Sequence, residues 1–216
     1  MKAFIFDMDG LMFDTERLMI SAWDYAGEQL GLGKTGYMVL KTLGSNTESC
    51  NRIWREEFGP DVDVAAMWRH TRVFLDDYYA HQAAPVKPGL RELLMYLKAQ
   101  GYALAVASST RREKVEKHLT TAGVRYFFDA VIGGDMVERS KPDPDIYLKA
   151  AAALGVDPAD CTALEDSRNG LLSAHAAGMQ AIMVPDLWQP DDTVADFTIG
   201  PFETLLDVRD WLMSQG

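Results

Sequence analysis

The chain has 216 residues, of which 48% are hydrophobic and 25% charged, the mix of an ordinary water-soluble globular protein with enough length to bury a large core. Its 32 acidic against 21 basic side chains give a formal net charge of −11, which argues against nucleic acid or an anionic membrane as the main partner. Cys50 and Cys161 lie far apart in the sequence and have no ligand-type spacing, so neither a disulfide framework nor a thiolate metal site is expected.

In chain order, the first element is a buried strand at 2–6, ending at Asp7-Met8-Asp9-Gly10. Acidic residues come too early for a signal peptide, and no run approaches the ~18 apolar residues that would span a bilayer; a cytoplasmic protein is expected. From about Thr15 to Ala83 the pattern is helical and rich in aromatics, among them Trp23, Trp54, Trp68 and Phe74. Ser45-Asn46-Thr47-Glu48 has the form of a capping box opening a helix toward Phe58. Gly31-Leu32-Gly33-Lys34-Thr35-Gly36 matches a nucleotide-binding G-x-G-x-x-G string. It follows a helix instead of a strand, however, and is read as a helix stop and loop.

Residues 84–89, with two prolines and a glycine, form a linker back to alternating strands and helices. Strands are expected at 103–107, 130–132, 162–164 and 181–184, each a short apolar run. Between them, Thr110-Arg111-Arg112-Glu113 fits a capping box, Asp143-Pro144 opens a helix that Gly155 closes, and Ser167 precedes a helix ending near Gly178. This alternation implies an α/β fold with a parallel sheet covered by helices on both faces. The expected division is an α/β core from residues 1–14 and 84–216, with a helical cap domain at 15–83 inserted between the first and second strands.

Every strand of a parallel sheet ends at one edge, where ligands collect. After the first strand come Asp7 and Asp9, after the second Ser108, Ser109 and Thr110, past the third Lys141, and after the fourth Glu165 and Asp166. Carboxylates gathered so closely repel one another unless a proton or cation compensates them. A hard divalent cation with oxygen ligands, most simply Mg²⁺, resolves the repulsion, and Lys141 can neutralise carboxylates or phosphate oxygens. His70, His81, His118 and His175 have no ligand spacing and are assigned to the surface or the cap.

These segments resemble a known family. Asp7-Met8-Asp9-Gly10-Leu11 with Asp14-Thr15-Glu16, Val106-Ala107-Ser108-Ser109, Ser140-Lys141-Pro142-Asp143-Pro144, and Leu164-Glu165-Asp166-Ser167 with Asn169-Gly170 are similar, in order and spacing, to the four motifs of the haloacid dehalogenase superfamily. The resemblance implies a Rossmann-like, doubly wound core with an inserted helical cap, as in the subfamily of β-phosphoglucomutase and small-molecule phosphatases. It implies that Asp7 is a nucleophile forming an aspartyl phosphate and that Asp9 is the general acid and base. Ser108, Ser109 and Lys141 would bind the phosphoryl oxygens. Asp7, Asp9, Glu165 and Asp166 would form the Mg²⁺ site, with Glu165 either ligating the ion or orienting the site.

The same resemblance sorts the activities. A carboxylate at Asp9 points to phosphate esters rather than halides or phosphonates, and Met19 and Thr47 stand where related mutases carry a histidine and an arginine. The expectation is a Mg²⁺-dependent phosphatase acting on a small phosphorylated metabolite such as a sugar phosphate, with a sugar-phosphate mutase as the rival. A monomer is the default assembly.

Overall fold

The computed structural model describes residues 2–43 and 47–215. Ser45 and Asn46, on which the second capping box rests, lie outside the described residues. The elements are, in chain order, β1 (Ala3–Phe6), α1 (Thr15–Gln29), α2 (Met38–Thr42), α3 (Thr47–Phe58), α4 (Val64–His81), α5 (Leu90–Ala99) and β2 (Ala103–Ser108). There follow α6 (Arg112–Thr121), β3 (Ala130–Gly133), α7 (Asp145–Leu154), β4 (Cys161–Glu165), α8 (Arg168–Ala176), β5 (Gln180–Met183), α9 (Asp192–Ala195), β6 (Thr198–Ile199) and α10 (Leu205–Ser214). Short 3-10 turns complete the connections. The chain divides into two compact units, one of Met1–Phe13 with Pro85–Gly216 and one of Asp14–Ala84.

The first unit is built on a six-stranded sheet of order β3-β2-β1-β4-β5-β6 in which every pairing is parallel. β1 is central and pairs on both sides, Ile5 facing Ala105 of β2 and Ala163 of β4. Helices cover both of its faces, so all four of its residues are buried, which is why the strand is a continuous apolar run instead of an alternating one. On one face Ile5, Ala105, Ala107 and Ala163 pack with Ile146, Tyr147 and Ala150 of α7 and Leu171 and Ala174 of α8. Small alanines on the strands let α7 approach closely, and burial of each large apolar side chain contributes roughly 1.5–3 kcal/mol. α7 closes on Gly155, whose φ is +66°.

The capping reading of residues 110–113 is corrected. Arg111 occupies the N-cap of α6 without a side-chain cap bond, and the Arg112 backbone N–H donates instead to Asp135 Oδ1, at 2.8 Å, from the turn after β3. The hydroxyl of Thr110 is used elsewhere, as described below. β6, with only two residues, adds a sixth strand that the sequence pattern does not mark.

The second unit is helical, and its described residues contain no strand. Trp54 is fully buried and meets Trp23 edge-on at 5.3 Å between ring centroids, while Trp68 meets Trp23 at 6.0 Å. Such pairs add roughly 0.5–1.5 kcal/mol beyond area burial. The glycine-rich string after α1 is a loop: Thr35 Oγ1 donates to the Trp23 carbonyl at 2.5 Å, and the Gly36 N–H donates to Asp24 Oδ1 at 2.7 Å. Asp63 caps α4, accepting from the Ala66 N–H. Among the described residues no helix is long and apolar enough to cross a membrane.

Candidate active site

The strand order reverses at β1: the chain moves outward through β2 and β3, then returns to the other side for β4, β5 and β6. A crevice opens at the carboxyl ends of the strands where such a reversal occurs. Asp7 leaves β1 at that point, its backbone N–H donating to the Leu164 carbonyl at 3.0 Å and so extending the ladder by one residue. Ser108 ends β2, and Glu165 ends β4 with Asp166 following it. Register alone therefore brings these residues level.

Lys141, from the segment preceding α7, reaches into the group. Its Nζ donates to Asp7 Oδ1 at 2.5 Å, Glu165 Oε1 at 2.6 Å and the Ala107 carbonyl at 3.1 Å. These three shorter contacts match the three hydrogens of an ammonium group, and the Tyr147 hydroxyl oxygen is a fourth, longer neighbour at 3.5 Å. Glu165 is wholly buried and saturated with donors. Its Oε1 also accepts from the Tyr147 hydroxyl at 2.7 Å, while its Oε2 accepts from the N–H groups of Asp166 (3.1 Å) and Ser167 (3.2 Å) and the Ser167 hydroxyl (3.0 Å).

Two glycines permit this packing. Gly10 has φ +85°, and a Cβ there would lie 2.2 Å from Asp166 Oδ2; a Cβ on Gly170 would lie 1.8 Å from Glu165 Oε1.

Asp9 sits on the β2 side of the group. Its Oδ2 accepts from Thr110 Oγ1 at 2.8 Å and from Ser108 Oγ at 3.2 Å, and Ser108 Oγ in turn accepts from the Thr110 N–H at 3.0 Å. Ser109 is exposed and stands outside this hydrogen-bonded cluster. One contributor escaped the sequence reading, Tyr147, one apolar-face residue among many on α7; Thr110 was placed at this edge, but its hydroxyl was assigned to a capping box instead of to Asp9. His118, assigned from sequence to the surface or the cap, is half-buried on α6 with its ring 5.9 Å from that of Phe13.

Burial holds the Asp7 carboxyl well above the usual carboxylate range, with Glu165 and Asp9 adding to the effect and Lys141 opposing it. Burial alone would lower the Lys141 ammonium, but Asp7 and Glu165 outweigh it and keep the group charged. Burial, followed by the charges of Glu165 and Asp7, lifts the Tyr147 phenol well above its ordinary value, so it remains a donor. Asp7, Glu165 and Asp166 each offer a carboxylate oxygen, these atoms lie within 4.8 Å of one another, and all three residues are buried. An all-oxygen set under that repulsion suits a hard divalent cation, so the residues present fit one.

The order of the sheet and the carboxylates at its reversal point define a Rossmann-like α/β protein with a buried acidic cluster at the crevice. Within that class the chain belongs to the haloacid dehalogenase-like hydrolase family, which it matches over residues 4–184. It is 37% identical over 191 residues to hexitol phosphatase B of Escherichia coli, covering 85% of this chain and 83% of that one. A mutant of CbbY from Rhodobacter sphaeroides, solved in complex with xylulose-(1,5)bisphosphate, superposes with a TM-score of 0.77 at 29% identity, covering 95% of each chain. A structure described as a putative β-phosphoglucomutase from Thermotoga maritima superposes with a TM-score of 0.80 at 26% identity over 99% of each chain.

Proposed function

We propose that the chain hydrolyses the phosphate monoester of a small polyol or sugar, passing the phosphoryl group through Asp7 to water. The observation that carries this reading is the pairing at the end of β1: a buried Asp7 bonded to Lys141 at 2.5 Å, with Asp9 two residues on and held by separate donors. One carboxylate is thereby kept for attack and the other for proton transfer.

Asp7 attacks phosphorus, and the bond between phosphorus and the ester oxygen breaks. The departing oxygen takes the proton of Asp9, leaving an alcohol and an aspartyl phosphate. Asp9, now a carboxylate, removes a proton from a water that attacks the same phosphorus. The bond to Asp7 then breaks, releasing inorganic phosphate and restoring both residues. Lys141 and Ser108 bind the phosphoryl oxygens as charge gathers on them. Asp7, Asp166 and the backbone carbonyl of Asp9 would hold Mg²⁺, which supplies the charge screening that lets a carboxylate meet a phosphate dianion. Glu165, already accepting five hydrogen bonds, orients the group.

The substrate class is supported by the relatives: one is named for a hexitol, and another is solved with a phosphorylated pentulose. Residues 15–83 are assigned as the cap domain, whose side chains select among such substrates. A phosphate-release screen across hexitol, pentitol, sugar and nucleotide phosphates, with Mg²⁺ or with EDTA, tests the reading. Turnover should be strongest on a polyol or sugar phosphate with Mg²⁺ and absent in EDTA. Full activity in EDTA, or isomerisation of a hexose phosphate without phosphate release, overturns it.

A further inference from the structure

We propose that Tyr147 is a positioning residue that holds the Lys141 ammonium on the Asp7 carboxylate, acting through its hydroxyl on Glu165 and its ring against the lysine. The inference rests on the phosphatase reading and adds a residue on α7 to the machinery.

Tyr147 is fully buried on the face of α7 that packs against β1 and β2. Its hydroxyl donates to Glu165 Oε1 at 2.7 Å, the same oxygen that receives Lys141 at 2.6 Å. The lysine Nζ lies 3.5 Å from the tyrosine oxygen and 5.0 Å from the ring centroid, within the range of a cation–π contact. Phenol and ammonium thus converge on one carboxylate oxygen, and the ring walls off one side of the ammonium.

The lysine needs this support because its flexible four-carbon stem does not fix a point charge by itself. Without the tyrosine hydroxyl, Glu165 Oε1 keeps a single donor, and the carboxylate can rotate about the bonds that Asp166 and Ser167 make to Oε2. Any such rotation carries Lys141 away from Asp7 Oδ1. The consequence falls on the aim of the nucleophile during phosphoryl transfer; the surfaces that bind the rest of the substrate are unaffected.

The test compares wild type, Tyr147→Phe, Lys141→Ala and the double variant, using p-nitrophenyl phosphate with Mg²⁺ and thermal melting of each protein. Phenylalanine keeps the ring and removes only the hydroxyl. Tyr147→Phe should lower kcat about tenfold, the equivalent of one modest hydrogen bond, with KM changed less than about twofold. In the Lys141→Ala background the same substitution should change kcat less than about twofold, because its target is gone.

A melting-temperature loss in Tyr147→Phe with kcat intact overturns the inference, as does an equal kcat loss with and without Lys141, since either outcome describes a merely structural tyrosine. A wild type that releases no nitrophenolate overturns the phosphatase reading and this inference together; an active wild type matched by Tyr147→Phe overturns this inference alone.

Discussion

Replacing Gly170 by alanine should destabilise the protein, the reverse of the usual sign for a glycine in a helix. Removing a helical glycine ordinarily gains about 0.5–1 kcal/mol. Here the new Cβ would lie 1.8 Å from Glu165 Oε1 and 1.9 Å from its carboxyl carbon. The end of a glutamate side chain normally swings aside at little cost. Glu165 has no exposed surface to swing toward, and its two oxygens are held by Lys141, Tyr147, Asp166 and Ser167. Displacing it breaks at least two hydrogen bonds to a charged acceptor, each worth roughly 1.5–3 kcal/mol, and leaves their donors buried without partners. Setting a loss of about 3–6 kcal/mol against a helix gain of about 1 leaves a net destabilisation of about 2–5 kcal/mol. At roughly 2–4 °C per kcal/mol for a chain of this size, the melting temperature should fall by about 4–20 °C. Thermal melting followed by circular dichroism reads this directly. Because Lys141 moves with Glu165, kcat should fall at least about tenfold as well. A melting temperature equal to or above that of wild type, with kcat retained, would refute the claim that Glu165 is immobile.

Two further outcomes follow from the same cluster. Asp7 has a folded-state pKa above its unfolded value, so its stabilising proton is fully in place below the unfolded carboxylate range of ~3.9 and is lost as pH rises through the raised value. In EDTA the melting temperature of wild type should therefore fall more steeply as pH rises above the unfolded carboxylate range than that of Asp7→Asn, and equal slopes would remove Asp7 as the strained group. Thr110→Val deletes the 2.8 Å donor to Asp9 and should lower turnover of a sugar phosphate about tenfold with little change in melting, since Asp135 engages the start of α6; a drop in melting temperature with kcat unchanged would return Thr110 to a capping role.

The parallel sheet was legible because strands buried on both faces are uninterrupted apolar runs, as in Phe4-Ile5-Phe6 and Leu104-Ala105-Val106-Ala107. β6 was not, since Thr198–Ile199 is too short to carry any periodicity. The carboxylates stood out because acidic residues straight after a buried strand need compensation, and register then brought Asp7, Glu165 and Asp166 together. The partner of the Thr110 hydroxyl and the place of Tyr147 in the site were hidden for different reasons. A capping box is a local pattern, and Thr110 satisfied it while its hydroxyl served a residue 101 positions away. Tyr147 belongs to the apolar face of its helix by spacing, and only the fold shows that its polar tip meets Glu165. Nothing in the sequence distinguishes the exposed Ser109 from the buried Ser108 beside it.

The central claim, that Asp7 carries the phosphoryl group while Asp9 moves the protons, is tested most directly by the pre-steady-state kinetics of Asp9→Asn on p-nitrophenyl phosphate. Nitrophenolate leaves without protonation, so the first step should proceed, whereas hydrolysis of the aspartyl phosphate loses its base and slows by about 10²–10⁴-fold. The expected result is a burst of nitrophenolate approaching one equivalent per active site, absent when Asp7 is also changed to asparagine. A linear trace without a burst, alongside equal rate losses on p-nitrophenyl phosphate and on a sugar phosphate, would contradict the assignment of both residues.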